Sequence, residues 1–157
     1  MFKKLAVLGF GLAALAFALV VAGCANCRHA ERDRQITGIT WQLDLSSLKG
    51  VQNPSEKPMR PITLLIAADG KVSGCAGVNR YFGTAVVDEA EEDLKFPPLG
   101  TTRMAGPGMN YETAYLQMLA KVEEYKITGD LLTLYGLVGV SKARVRLAQY
   151  VKAKIAE

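Results

Sequence analysis

The chain has 157 residues, a mass of 17.0 kDa, 50% apolar residues and a formal charge of +4. Residues 1–23 hold 18 of the apolar residues, so the remaining 134 are about 45% apolar, ordinary for one globular domain with a single core. Lys3 and Lys4 lie in that first segment, and the +2 left on the body, without clustered bases, is too balanced to argue for nucleic-acid binding; the arithmetic disfavours a polytopic membrane protein, a disordered chain, a disulfide-dense mini-protein and a large cofactor enzyme.

Residues 1–4 are a short basic start, and residues 5–22 carry no charge. This is the pattern of a secretory leader. It ends in Val21-Ala22-Gly23-Cys24, which resembles the lipobox of bacterial lipoproteins. That resemblance implies cleavage before Cys24, a diacylglycerol on its thiol and an acylated new amine. Several acyl chains hold a protein where one would not, since each buried methylene adds only about 0.8 kcal/mol. The alternative is an uncleaved membrane anchor. Ala25 in place of Asp resembles lipoproteins sent to the outer membrane, so the periplasmic face of that membrane is the expected location, ahead of an inner-membrane anchor. Residues 24–35 read as a polar tether, too poor in apolar groups to pack. It holds His29, the chain's one histidine, with solvation as the expected fate.

The folded domain is expected over 36–150. Alternation through Ile39, Trp41, Leu43 and Leu45 predicts a strand over 36–45. A Pro/Gly-rich loop fills 49–61, and a second strand covers 62–67. Asp69-Gly70 predicts a tight hairpin turn into a third strand over 71–76. A fourth follows over 82–87. The acidic run 88–93 reads as a solvated turn, with cation sequestration as the alternative, and a fifth strand over 93–96 ends at Pro97-Pro98.

Over 107–122 the period changes. Tyr115, Met118, Leu119 and Val122 share one helical face, with Asn110 as the N-cap and Glu112 in the first turn, where the helix dipole favours an acid. Strands follow over 123–128, 131–135 and 143–149. Residues 151–157 read as a frayed or weakly helical tail. About eight short strands and one helix between the fifth and sixth predict an α+β fold, a mostly antiparallel sheet curled round with the helix plugging one end.

Five segments carry a family resemblance. They are Thr40-Trp41-Gln42-Leu43; Gly74-Cys75-Ala76-Gly77-Val78-Asn79-Arg80-Tyr81-Phe82-Gly83-Thr84; Leu99-Gly100-Thr101-Thr102-Arg103-Met104-Ala105; the helix segment 112–119; and 125–134. In this order they resemble the META domain, the HslJ-like family of bacterial envelope lipoproteins, over about 38–149. The resemblance implies a small curled sheet with one helix, similar in outline to a cracked barrel, and an envelope protein tied to stress or antibiotic tolerance. It implies no reaction. Trp41, Gly74, Cys75, Gly77, Asn79, Gly83, Thr101 and Met104 stand in its shared motifs and are expected to be structural. Many members carry a cysteine where this chain has Gly106, able to pair with the one at Cys75. Without that partner, Cys75 is expected to be a buried free thiol, a bridge to Cys27 or a reactive thiol.

Gly74, Gly77 and Gly83 read as bends, because no helix follows and no Lys-Ser/Thr pair closes a phosphate loop. Asn79 is expected to bond backbone groups of its turn. Arg80, Tyr81 and Arg103 are the candidate contacts for an anionic ligand or partner, the alternative for each arginine being an anchor on a carbonyl or carboxylate. Trp41, Tyr81, Phe82, Phe96, Tyr115 and Tyr125 are expected in the core or at its edge. With no histidine in the body, a triad or zinc site lacks its ligands. The expectation is therefore a monomeric, non-catalytic, lipid-anchored envelope protein without cofactor or metal, acting through protein contacts at the outer membrane. The alternative is a carrier of a hydrophobic ligand inside the curled sheet.

Overall fold

The computed structural model describes residues 35–153. The leader, Cys24, Cys27 and His29 lie outside the described residues, as does the end of the tail. Ten strands and one α-helix follow in the order β1 (Thr40–Leu43), β2 (Thr63–Ile66), β3 (Lys71–Cys75), β4 (Arg80–Thr84), β5 (Val86–Asp88), β6 (Asp93–Lys95), β7 (Gly100–Thr101), α1 (Met109–Leu119), β8 (Glu124–Thr128), β9 (Leu131–Val138) and β10 (Ala143–Lys152). A 3-10 turn over Leu45–Ser47 follows β1, capped by the Asp44 side chain.

All ten strands form one antiparallel sheet in the order β5-β6-β8-β9-β10-β1-β2-β3-β4-β7. β4 and β5 sit near opposite ends of that sheet, yet Ala85 alone separates them in sequence. Consecutive Cα atoms are about 3.8 Å apart. The sheet must therefore curl until its two ends approach each other, though its edge strands β5 and β7 do not pair, which makes it a half-barrel.

The expected strand count and helix position need correction. There are ten strands instead of eight, and the helix lies between the seventh and eighth. The predicted strand over 82–87 breaks at Ala85, whose N–H donates to the Gly70 carbonyl at 2.8 Å and so turns the corner on the neighbouring hairpin. The other extra strand, β7, has only two residues. The helix also begins earlier than its predicted cap. Gly108, at φ 84°, precedes the first turn with no side-chain cap, while Asn110 lies inside the helix and its amide donates to the Gln52 and Asn53 carbonyls. A Cβ on Gly108 would stand 2.5 Å from the Pro58 Cα, so close backbone approach also requires glycine there.

The expected tail is shorter. β10 runs on to Lys152 and pairs with β1 (Leu43 opposite Tyr150, Trp41 opposite Lys152), so the strands nearest the two ends of the described chain are neighbours.

Period two holds along β1 and β2, which bury Trp41, Leu43, Leu64 and Ile66. Tyr111, Ala114, Tyr115, Met118 and Leu119 of α1 face the same interior. Trp41, Tyr81, Tyr115 and Tyr150 are among the fully buried side chains, so aromatic rings occupy the space inside the curl. The Trp41 indole N–H donates to the Ile36 carbonyl at 3.2 Å, which gives the buried ring its polar partner. Among the described residues no helix is long and apolar enough to cross a membrane.

Candidate functional site

The turn from β3 to β4 is where the motif residues meet. Gly77 has φ 106°, a region that L side chains rarely adopt, and a Cβ there would sit 2.7 Å from Pro58 Cβ. Asn79, 1% exposed, ends the turn and ties three segments together. Its Oδ1 accepts from the Met104 N–H at 2.7 Å and the Thr102 hydroxyl at 2.8 Å. Its Nδ2 donates to the Met104 carbonyl and to Glu112 Oε1, each at 2.9 Å. Its backbone N–H donates to Glu112 Oε2 at 2.8 Å. Asn79 thus bonds backbone as expected, but the backbone belongs to the chain after β7, not to its own turn. Glu112, 5% exposed, faces this asparagine from the first turn of α1.

The arginines fall out differently. Arg60 is the loop anchor: its guanidinium donates to the Val78 carbonyl and its N–H to Gly77 O. Arg80 and Arg103 are exposed, and among the described residues neither has a carboxylate partner. The backbone of Arg80 is held on both sides, its N–H by Thr102 Oγ1 and its carbonyl by the Thr102 N–H.

Tyr81 faces inward and Phe82 outward, as period two along β4 requires. Phe82 was expected in or beside the core but is 57% exposed. The reason is parity: Arg80, Phe82 and Thr84 share the solvent side, a signal present in the sequence.

β2 and β3 pair only at Leu65–Ser73 and Ile66–Val72. Beyond that the ladder opens, and the Cys75 N–H bonds the Thr63 hydroxyl at 3.1 Å. The Tyr81 hydroxyl fills the gap and donates to the Thr63 carbonyl at 2.8 Å. With that proton committed, Tyr115, whose hydroxyl is 2.8 Å away, must be the donor of the pair. Their rings meet edge to face with centroids 5.7 Å apart. Burial pushes the pKa of both phenols well above the ordinary tyrosine value.

Gly74 makes this possible. A Cβ on it would lie 2.1 Å from the Thr63 carbonyl oxygen and 2.7 Å from the Tyr81 ring. Gly74→Ala is expected to cost about 3 kcal/mol through forced backbone displacement. Urea unfolding checks it, and a loss no larger than that of a surface substitution would contradict the opened ladder.

Outside this opening lies a half-open groove of about 310 Å³, lined by Thr63, Ser73, Cys75, Arg80, Tyr81 and Phe82. Two of the three expected contact residues, Arg80 and Tyr81, therefore share one site, Tyr81 as a buried wall and Arg80 at the surface. Arg103 lies farther along the chain, after β7. The Cys75 thiol is half-buried and joined to no described residue; Cys27, its expected alternative partner, lies outside the described residues. The groove offers hydroxyls, one guanidinium and an aromatic face, a set suited to binding a polar or anionic group beside an apolar one.

The acidic run is a turn in which Asp88 Oδ1 accepts from the Ala90 and Glu91 N–H groups. Among the described residues no cluster of acids, cysteines or histidines is arranged to hold a metal.

The solution structure of a protein from Burkholderia xenovorans is similar to this chain at TM-score 0.52 and 23% identity, over 76% of this chain and 85% of that one. A crystal structure of a duf4847 family protein from Bacteroides vulgatus is similar at TM-score 0.48 and 14% identity, over 80% of this chain and 99% of that one. No curated protein matches the chain. The family model of the META domain matches residues 34–151, from just before the buried Ile36 to the last residue but one of the final strand, and takes in the opened ladder, the Asn79 junction and the helix that supplies Glu112. The chain belongs to the META domain family.

Proposed function

We propose that this protein is a non-catalytic envelope lipoprotein, anchored through lipid on Cys24 at the periplasmic face of the outer membrane, that supports envelope integrity under stress or antibiotic challenge by contacting another protein. The observation that carries the contact is the surface along β4 and the chain after β7. Phe82 is 57% and Met104 50% exposed there, with Arg80 and Arg103 beside them lacking carboxylate partners among the described residues. Aromatic, methionine and arginine side chains are the types enriched where proteins meet. The backbone beneath them is rigid: Asn79 holds Met104 by both its N–H and its carbonyl. A preordered surface binds at lower entropic cost.

The test is complementation of cells lacking the gene. Phe82→Asp with Met104→Asp should abolish stress tolerance while the membrane-bound amount stays constant. Cys24→Ser should fail to take up a labelled fatty acid and should leave the outer-membrane fraction. Full tolerance with the double variant would overturn the contact, and unchanged labelling of Cys24→Ser would overturn the anchor.

A further inference from the structure

A second concavity, of about 270 Å³, lies on another side of the molecule, between the C-terminal half of α1 and β10. Its floor is apolar: Ala114 and Met118 from the helix and Leu147 from the strand. Three cations ring it, Lys49 from the loop after the 3-10 turn, Lys121 just past the helix, and Arg146 on β10. No carboxylate lines it, and among the described residues none of the three cations has an acidic partner. The contrast with Arg144, two residues away, is direct: that guanidinium is paired with Glu124 at 2.6 Å and lies over the Tyr135 ring at 4.3 Å.

The strand is shaped for this site. The register of β10 against β9 shifts between Arg146 and Ala148, a bulge. A bulge breaks the alternation of neighbouring side chains, so adjacent Arg146 and Leu147 can both line the concavity. Gly136 on β9 leaves the room: a Cβ there would stand 2.9 Å from the Lys121 carbonyl and 3.2 Å from the Leu147 side chain. At the helix end, the Leu116, Met118 and Leu119 carbonyls accept from the N–H groups of Ala120, Lys121 and Val122, so the negative end of the helix is largely capped.

We propose that this concavity binds an anionic phosphate head group, its oxygens on Lys49, Lys121 and Arg146 and its adjoining carbons on Met118 and Leu147. Three like charges gathered over an apolar floor repel one another until an anion joins them, and guanidinium and ammonium together suit phosphate oxygens. The apolar floor favours a phosphoester with carbon attached, as in an anionic phospholipid, over inorganic phosphate. The β9–β10 hairpin continues from the site to a tip where Val138 and Val140 are exposed and Lys142 adds a further cation. The site does not depend on lipidation of Cys24.

The full chain in non-ionic detergent, titrated by amide NMR with inorganic phosphate and with dihexanoyl phosphatidylglycerol, tests the proposal. Saturable shifts at Gly50, Gln117, Lys121 and Arg146 are expected with both probes. Binding about tenfold tighter for the phospholipid marks a lipid head group, and equal affinities mark free phosphate. Lys121→Gln and Arg146→Gln, both at exposed positions, should each weaken binding by about tenfold and leave the Tyr81 resonance in place. The absence of saturable shifts at those residues, or shifts that neither substitution weakens, would overturn the proposal.

Discussion

Above about pH 10 the folded domain is expected to lose stability steeply, and Tyr81, Tyr115 and Tyr150 are the cause. All three phenols are fully buried, and burial pushes each pKa well above the ordinary tyrosine value; Tyr150 and Tyr81 raise Tyr115 further, while Tyr81 raises Tyr150 and Tyr115 opposes it. Burial and the nearby carboxylates of Glu89, Glu92 and Asp88 push Tyr125 up to about 12. The unfolded chain releases these protons near pH 10, whereas the folded chain keeps them. Between the unfolded and folded values the native state therefore binds more protons, and stability falls as pH rises; below about pH 9 these groups impose no loss. Each protected phenol contributes about 1.4 kcal/mol per pH unit, so the three core tyrosines give a slope of about 4 kcal/mol per pH unit. A domain stabilised by about 5–15 kcal/mol would unfold within a few pH units.

Tyrosinate absorbance and circular dichroism followed together check this. For the core tyrosines the two signals should change as one transition, because ionisation requires unfolding. Tyr150→Phe is the sharpest variant. Its hydroxyl lies beside that of Tyr115 but makes no well-formed hydrogen bond, so its removal should cost little at neutral pH while lowering the alkaline slope by about a third. Core tyrosinate appearing while the fold is intact would contradict the argument.

The parts of this fold legible in the sequence are those with local causes. Trp41 and Leu43 fall inward because side chains alternate along a strand, and Tyr115, Met118 and Leu119 fall inward because they share a helical face. The Asp69-Gly70 turn is likewise local: Gly70 sits at φ 78°, and Asp69 Oδ1 accepts from the Lys71 N–H at 3.1 Å.

What was not legible depends on distant contacts. Phe82, Thr84 and Val86 keep one parity straight through Ala85, so period two sees a single strand where the chain turns from one end of the sheet to the other. The bond that makes the corner comes from Gly70, fifteen positions earlier. The helix start failed similarly, because close packing against Pro58 selects Gly108 while Asn110 is taken by the 52–53 carbonyls. At the groove, Gly74 and Cys75 stand in the sequence as motif residues and Arg80 as a candidate contact, but the opened ladder that groups them follows from where Tyr81 places its hydroxyl. The cations of the second concavity come from three separate segments and carry no spacing signal at all.

Asn79→Ala should destabilise the domain by about 3–4 kcal/mol, more than its small volume would suggest. The amide is almost fully buried and every one of its hydrogen-bonding positions is used. Truncation leaves the buried Glu112 oxygen without this partner, at a cost of about 1–3 kcal/mol before relaxation, and frees the part-buried Met104 N–H and carbonyl and Thr102 hydroxyl at a smaller cost each, since water can reach them. Glu112 keeps only the backbone N–H of residue 79 from this junction. Asn79→Asp separates hydrogen bonding from packing. It preserves shape but turns the donor toward Met104 O and Glu112 Oε1 into an acceptor, placing carboxylate against carboxylate at the 2.9 Å now spanned by a hydrogen bond. It should therefore be worse than alanine. Glu112→Gln should cost less, about 1–3 kcal/mol, because one of its two acceptors survives. Urea unfolding followed through the fluorescence of Trp41, the chain's one tryptophan, orders the three variants. Because Asn79 grips Met104 by both backbone groups, amide exchange at Met104 should accelerate in Asn79→Ala well before the core opens, and the exposed surface beside Arg103 should loosen with it. An Asn79→Asp protein as stable as the parent would show that volume, not this junction of hydrogen bonds, keeps asparagine at the end of the turn.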